Sequence, residues 1–353
     1  MKIILSDFDA KRIEQLNVTM QNNAAIFEVM ADYINNNEQF ITQQMLQPFV
    51  TEYDMPSQTA YSMLLASACG LEIAEKESHK ILYENYFVPA VKLLNPQKYL
   101  NNPYLKTITF PEIEQNSWKI SKIKFQPCEA FVYNQPLQTS DFREIPQIGF
   151  FENEVSFPAV FQNNREWMSL KPNEIETMEQ PIENANGNIL VYGLGLGYFA
   201  FMASQKNSVK KLTIIEKDSE IIKLFENQLF NQFPNKNKID IICADAIEYA
   251  QKEAAILKPD YVFADIWHDV GDGLSIYLKL RTLEKNIPNA TFDYWIEKSM
   301  LSNLRAKVFF QMYNILKNNN PKSQENEIII KDYNSFINKI SDENLKNIKI
   351  NFK

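Results

Sequence analysis

Glycine is rare in this chain, with eight in 353 residues, and histidine rarer still, with two. Cysteine occurs three times, at Cys69, Cys128 and Cys243. An odd number so widely spaced excludes a disulfide framework and a zinc-ligand pattern, so each reads as a small buried hydrophobe. No apolar run approaches the thickness of a bilayer. The opening MKIILSDFDAKR meets acidic residues too soon to be a secretory signal, and a cytoplasmic protein is expected. Positive charge is also in short supply: the formal net charge is −8, which argues against a general nucleic-acid surface. Residues 301–353 depart from this, with nine Lys or Arg against five Asp or Glu. A small-molecule partner is nevertheless the expectation, with no nucleic acid and no membrane, and a homodimer seam is possible in the aromatic-rich first half.

Apolar and aromatic side chains are plentiful. Hydrophobic residues make up 45% of the chain, with 24 phenylalanines, 16 tyrosines and four tryptophans, which excludes global disorder. At this length more than one folding unit is expected. Residues 1–105 read as a helical domain: two helices joined near NNNE, a helix over 56–70 stopping at Gly70, and another ending near Asn95–Pro96. Residues 106–164 read as a small antiparallel β region or linker, from the runs WKISKIKF, CEAFVY, FREIPQIGFF and VSFPAV. Residues 165–353 form the third unit. It opens with a short helix that Ser169 or Asn173 would cap, near enough to the ligand rim to make Met168, Ser169 and Thr177 candidates there.

Within that unit, apolar runs alternate with helical periods. Strands are expected at Asn188–Tyr192, Leu212–Ile215, Ile239–Cys243, Tyr261–Ala264 and Thr291–Ile296, with further terminal strands at Glu327–Lys331 and Ile348–Phe352. Such alternation predicts an α/β, Rossmann-like parallel sheet. Three of the few glycines, Gly193, Gly195 and Gly197, sit at the first strand-to-helix turn, where backbone must approach a ligand. Gly271 and Gly273 follow the fourth strand, in a polar loop expected over Asp265–Gly273. No lysine follows the first turn, so it is no Walker loop. Glu216 stands just after the second strand, 23 residues beyond Gly193, where a carboxylate can take both hydroxyls of a ribose. Asp245 and Asp265 end the third and fourth strands.

This series resembles class I S-adenosylmethionine-dependent methyltransferases over about residues 185–300. The resemblance implies a glycine motif in VYGLGLG, a ribose-binding acid at Glu216, an adenine-side pair at Asp245–Ala246, and Asp265 beside the donor's reactive end. It implies S-adenosyl-L-methionine as cofactor. The short strands upstream are similar to the spermidine-synthase-like subgroup, which transfers an aminopropyl group from the decarboxylated donor. That subgroup's GGGDG is GLGLG in this chain and its DSSDP-like loop is DIWHD, so methyl transfer to a small acceptor is the favoured reading. Aminopropyl transfer and a non-enzymatic binding or regulatory module are the alternatives. Val191 also stands where many methyltransferases carry an acid. For the acceptor, Trp267 offers an aromatic wall, Asp269 a polar contact and His268 a proton acceptor, with Asp265 beside it. Metal is not expected, because DIWHD has no distant histidine partner. His79 reads as a helix-side residue.

Overall fold

The computed structural model describes residues 2–3, 5–318, 329–330 and 332–348. Ser6 caps the first helix, Asp7–Asn36, by accepting a hydrogen bond from the Asp9 amide. One face of this 30-residue helix serves two cores. Ile13, Leu16 and Met20 pack with Phe309 and Phe336 near the other end of the chain, while Ile26, Met30 and Tyr33 pack with Tyr61, Phe87 and Phe150. The asparagine-rich break ends it, and the next helix begins at Gln43. Helix Ser57–Ala68 closes near Gly70, which takes the left-handed φ of +84° that a side chain resists.

The next stretch departs from expectation. Helix Glu77–Leu82 loosens into a π turn at Tyr83–Phe87, and Val91–Leu93 then becomes a strand paired in parallel with Glu144–Phe150. Pro89 cannot donate a helical hydrogen bond, and Val91 and Leu94 are buried against that strand rather than along a helix face.

The four runs expected as strands appear at Trp118–Phe125, Phe131–Gln138, Glu144–Phe150 and Val155–Gln162. They fall in two small sheets. A further strand, Arg165–Ser169, lies antiparallel to Val155–Gln162, ahead of the expected helix, in a stretch for which no strand was expected. The helix, Pro172–Asn184, begins after Lys171, and neither Ser169 nor Asn173 caps it. Ser169 instead donates to Glu166 (2.7 Å) and is fully buried.

The central sheet has five parallel strands, and its spatial order is third, second, first, fourth, fifth: Ile239–Cys243, Val209–Glu216, Gly187–Tyr192, Tyr261–Ala264, Thr291–Tyr294. This is the expected Rossmann-like α/β fold, and the order reverses between the first and fourth strands, where such sheets open a crevice. Ile239–Cys243 is an edge strand and only partly buried, so Cys243 is exposed, contrary to expectation. The loop after the fourth strand is shorter than expected. Asp269 caps helix Val270–Leu283 through a reciprocal box with Asp272, which places Gly271 and Gly273 inside the helix. Of the terminal strands, Ile329–Ile330 pairs in parallel with Lys2–Ile3, while the rest of Glu327–Lys331 and residues 349–352 lie outside the described residues. No described helix is long and apolar enough to cross a membrane.

A buried ion pair joins the outlying parts to the centre. Arg305, on helix Glu297–Asn318, is 2% exposed and bonds Glu144, itself 3% exposed, together with Asp342 and the Ile340 carbonyl. Ser302 also donates to Glu144. Removing Arg305 leaves the buried Glu144 carboxylate with only the Ser302 hydroxyl, whereas Arg305 without Glu144 keeps Asp342. Arg305→Met is expected to lower the unfolding free energy by about 3–5 kcal/mol in urea, and Glu144→Ala by less. The Glu144→Ala, Arg305→Met double variant should recover part of the Arg305→Met loss; a loss equal to the sum of the two single effects would refute the pairing.

Candidate functional site

The turn after Tyr192 is shaped by what crowds it. Gly193 N–H donates to the Ile215 carbonyl (2.9 Å), and a β-carbon on Gly193 would overlap the carbonyl oxygen of Asp265. One on Gly195 would overlap the Met168 sulfur. That sulfur also accepts the Leu196 amide (3.2 Å), so Arg165–Ser169 lies directly on the turn. Tyr104 braces the far side by donating to the Leu196 carbonyl. The third glycine points elsewhere: the space at Gly197 is filled by the rings of Phe225 and Phe233, and Gly197 does not line the cavity described next.

A cavity of about 570 Å³ opens at the sheet's switch point. Gly193, Gly195, Glu216, Asp245, Ala246, Asp265, Trp267 and His268 all line it, so the carboxylates ending three different strands converge on one space. Its volume is in the range of small-molecule sites. Glu216 is held by two backbone amides, Leu194 N–H to Oε2 (3.2 Å) and Asp218 N–H to Oε1 (2.9 Å). Burial raises its pKa, and those two hydrogen bonds act in the opposite direction. Each oxygen keeps a lone pair for a ligand hydroxyl. Asp245 uses Oδ1 to cap helix Ala246–Lys252, accepting from Ile247 (2.9 Å) and Glu248 (3.0 Å), which leaves Oδ2 free at the rim.

The cavity also carries a carboxylate that sequence reading missed. Glu174, in the first turn of helix Pro172–Asn184, lines the cavity with only 7% exposure, and its Oε2 has no hydrogen-bond partner. Burial raises its pKa well above the usual range, and the charge of Asp265 adds to the effect. Asp265 is itself pushed up to about 7 by burial. Two desolvated acids that cannot both ionise cheaply behave as a pair sharing one proton. Nearby, Lys171 is engaged with Glu166 (2.8 Å). Nothing in the spacing of PNEIETMEQPI marks Glu174, because a helix that precedes the first strand reaches the cavity only through the tertiary fold. Of the upstream candidates, Met168 lines the cavity, while Ser169 and Thr177 do not. Thr177 accepts the Trp295 indole N–H (2.9 Å).

Trp267 is wedged between the cavity and helix Val270–Leu283, where Gly273 leaves room for its ring, and its indole N–H is unpartnered. His268 Nδ1 lies 3.0 Å from Asp272 Oδ2, and its ring meets Trp167 edge-on at 4.3 Å. Trp167, also overlooked in the sequence, is 38% exposed and faces the cavity mouth. Asp269 is outside the cavity and is occupied as the helix cap. Among the described residues no group of three or more His, Cys, Asp or Glu is placed to hold a metal. His79 accepts the Glu72 amide (2.9 Å) far from this site in the chain.

No protein-family model matches the chain, and no curated protein does. Among solved structures, spermidine synthase from Thermotoga maritima aligns at 13% identity over 43% of this chain and 59% of its own, with a TM-score of 0.32. A spermidine synthase in complex with the transition state analogue AdoDATO aligns at 13% identity over 43% of this chain and 60% of its own, with a TM-score of 0.34. The chain therefore covers less than two thirds of either.

The acid pair has a consequence for stability. An unfolded Asp has a pKa near about 3.9, so between that value and about 7 the folded state holds the extra proton on Asp265. Stability from this group therefore falls as pH rises through that window and levels off above it. Glu174 shifts in the same direction. Asp265→Asn is expected to match the wild type near pH 4 and to exceed it by at least about 1 kcal/mol near pH 8 in urea titrations. A constant difference across the range would dismiss the raised pKa.

Proposed function

We propose that this chain is a transferase that moves an alkyl group from an adenosyl sulfonium donor to an amine. The observation that carries the reading is the cavity at the switch point, lined together by the glycine turn, Glu216, Asp245, Glu174 and Asp265. Glu216 would accept the two ribose hydroxyls, and the free Oδ2 of Asp245 an exocyclic adenine N–H. Gly193 and Gly195 let the backbone come close enough to follow the donor's chain.

When bound, the donor supplies an electrophilic carbon on a positively charged sulfur that leaves as a neutral thioether. The residues of this chain do the positioning. The single negative charge that Glu174 and Asp265 carry between them attracts an ammonium, and Asp265, with its pKa near neutrality, can then take the proton that frees the nitrogen lone pair. His268, ordered by Asp272 and Trp167, lines the same cavity and would relay that proton outward. Holding nitrogen and carbon in line is itself a large part of such catalysis.

Aminopropyl transfer from decarboxylated S-adenosylmethionine is the better supported of the two transfers. A donor carboxylate would have to sit beside Glu174 and Asp265, and like charges at close range in a desolvated site repel strongly. Position 191 is Val and position 196 is Leu, so the turn itself offers no acid for the ammonium that both donors carry, and the choice rests on the carboxylate alone. Methyl transfer from S-adenosylmethionine is the second reading. It draws support from Arg165 on the cavity wall, which could take a donor carboxylate.

Calorimetry with S-adenosylmethionine, its decarboxylated form, S-adenosylhomocysteine, methylthioadenosine and NAD tests the proposal. Binding of the adenosyl sulfur compounds is expected, with Glu216→Ala weakening it at least about tenfold, since charge-assisted hydrogen bonds contribute about 1.5–3 kcal/mol each. Methylthioadenosine as the released product identifies aminopropyl transfer, and S-adenosylhomocysteine methyl transfer. Binding of NAD alone would end both readings.

A further inference from the structure

A second cavity of about 520 Å³ lies beside the first. The first helix walls one side with Met20, Ala24, Phe27 and Met30, and Pro146 and Ile148 lie on its strand side. Both cavities reach Ile34, Val132, Asn173, His268 and Trp295, so they abut at these residues, with Asn173 next to Glu174 in the chain.

The polar groups of this second space are largely occupied by the protein itself. Glu144 is paired with Arg305 and Ser302. Asn23 donates to the Phe142 carbonyl and accepts from Tyr86 (2.8 and 2.9 Å), and Gln135 accepts the Lys298 amide (2.9 Å). Asp269 caps a helix through Oδ1 and keeps Oδ2 unpartnered on a solvent-exposed side chain. Away from Asp269 the lining is mostly hydrocarbon. A second ammonium lodged against Met20, Ala24, Phe27, Pro146 and Ile148 would meet no counter-charge among them.

We propose that the two cavities form one channel and that the second holds the body of the acceptor: a monoamine whose nitrogen sits by Glu174, Asp265 and His268 while an elongated apolar tail runs along the first helix. This rests on the transferase reading above and narrows its acceptor from amines in general to apolar-bodied ones. Diamines with the same spacing of carbons are disfavoured, because their far charge falls in the apolar chamber.

The test is a binding series with the full chain in the presence of methylthioadenosine. Butylamine, hexylamine and octylamine are titrated alongside 1,4-diaminobutane and 1,8-diaminooctane. Affinity is expected to climb about threefold per added methylene along the monoamines, as for apolar burial. The diamine of eight carbons should bind at least about tenfold more weakly than octylamine. Ala24→Phe and Ala31→Phe, at positions whose side chains face the chamber from an exposed part of the helix, are expected to flatten the length dependence and leave methylthioadenosine affinity unchanged. No gain with chain length, equal binding of the diamine, or an undiminished gain in both variants would each overturn the proposal. Loss of adenosyl binding in the wild type would instead count against the transferase reading. The amine series without a nucleoside then still tests the chamber.

Discussion

The hydrogen bond from the Asp265 amide to the Tyr192 carbonyl (2.8 Å) sets the geometry of the whole site. It continues the pairing of Ala264 with Tyr192 one step past the strands and brings the fourth strand's exit against the glycine turn. The contact is so close that position 193 has no room for a side chain. Because the strands are parallel, their other exits are carried to the same edge, and Glu216 and Asp245 arrive beside it without any local signal having to aim them.

That edge is polar and desolvated at once, which is costly. Glu174 and Asp265 are held in a space where neither can keep a full hydration shell, and their proton affinities rise accordingly. Groups of this kind destabilise an empty site and favour a cationic ligand that relieves the repulsion. The rest of the chain supplies rigidity around them. Tyr104 and Met168 clamp the turn, and aromatic contacts among Tyr104, Phe201, Phe225 and Phe233 fill the layer behind it.

Distant segments meet at the same place. The first helix closes one cavity, the β region contributes Val132 to both, and Arg305 ties strand Glu144–Phe150 to the C-terminal helix Asp342–Lys346 through buried charge. A site made from segments so far apart in the chain depends on cooperative folding of all of them, since each contributes only a few side chains.

The parallel sheet, its glycine turn and the acids at Glu216, Asp245 and Asp265 were legible in the amino-acid order, because strand burial, left-handed backbone and strand-end position each leave a local and periodic mark. Val91–Leu93 was misread as helical and Arg165–Ser169 was not expected as a strand, since short segments take their conformation from the strand they pair with. The role of Gly197 went to tertiary context, since it makes room for Phe225, while Asp269 was taken by a local contact, its Oδ1 capping the helix that follows. Glu174, Trp167 and the second cavity had no signature at all. They exist as site features only because packing brings a helix, a hairpin and the first 36 residues around one edge of the sheet, and sequence spacing carries no information about distances through space.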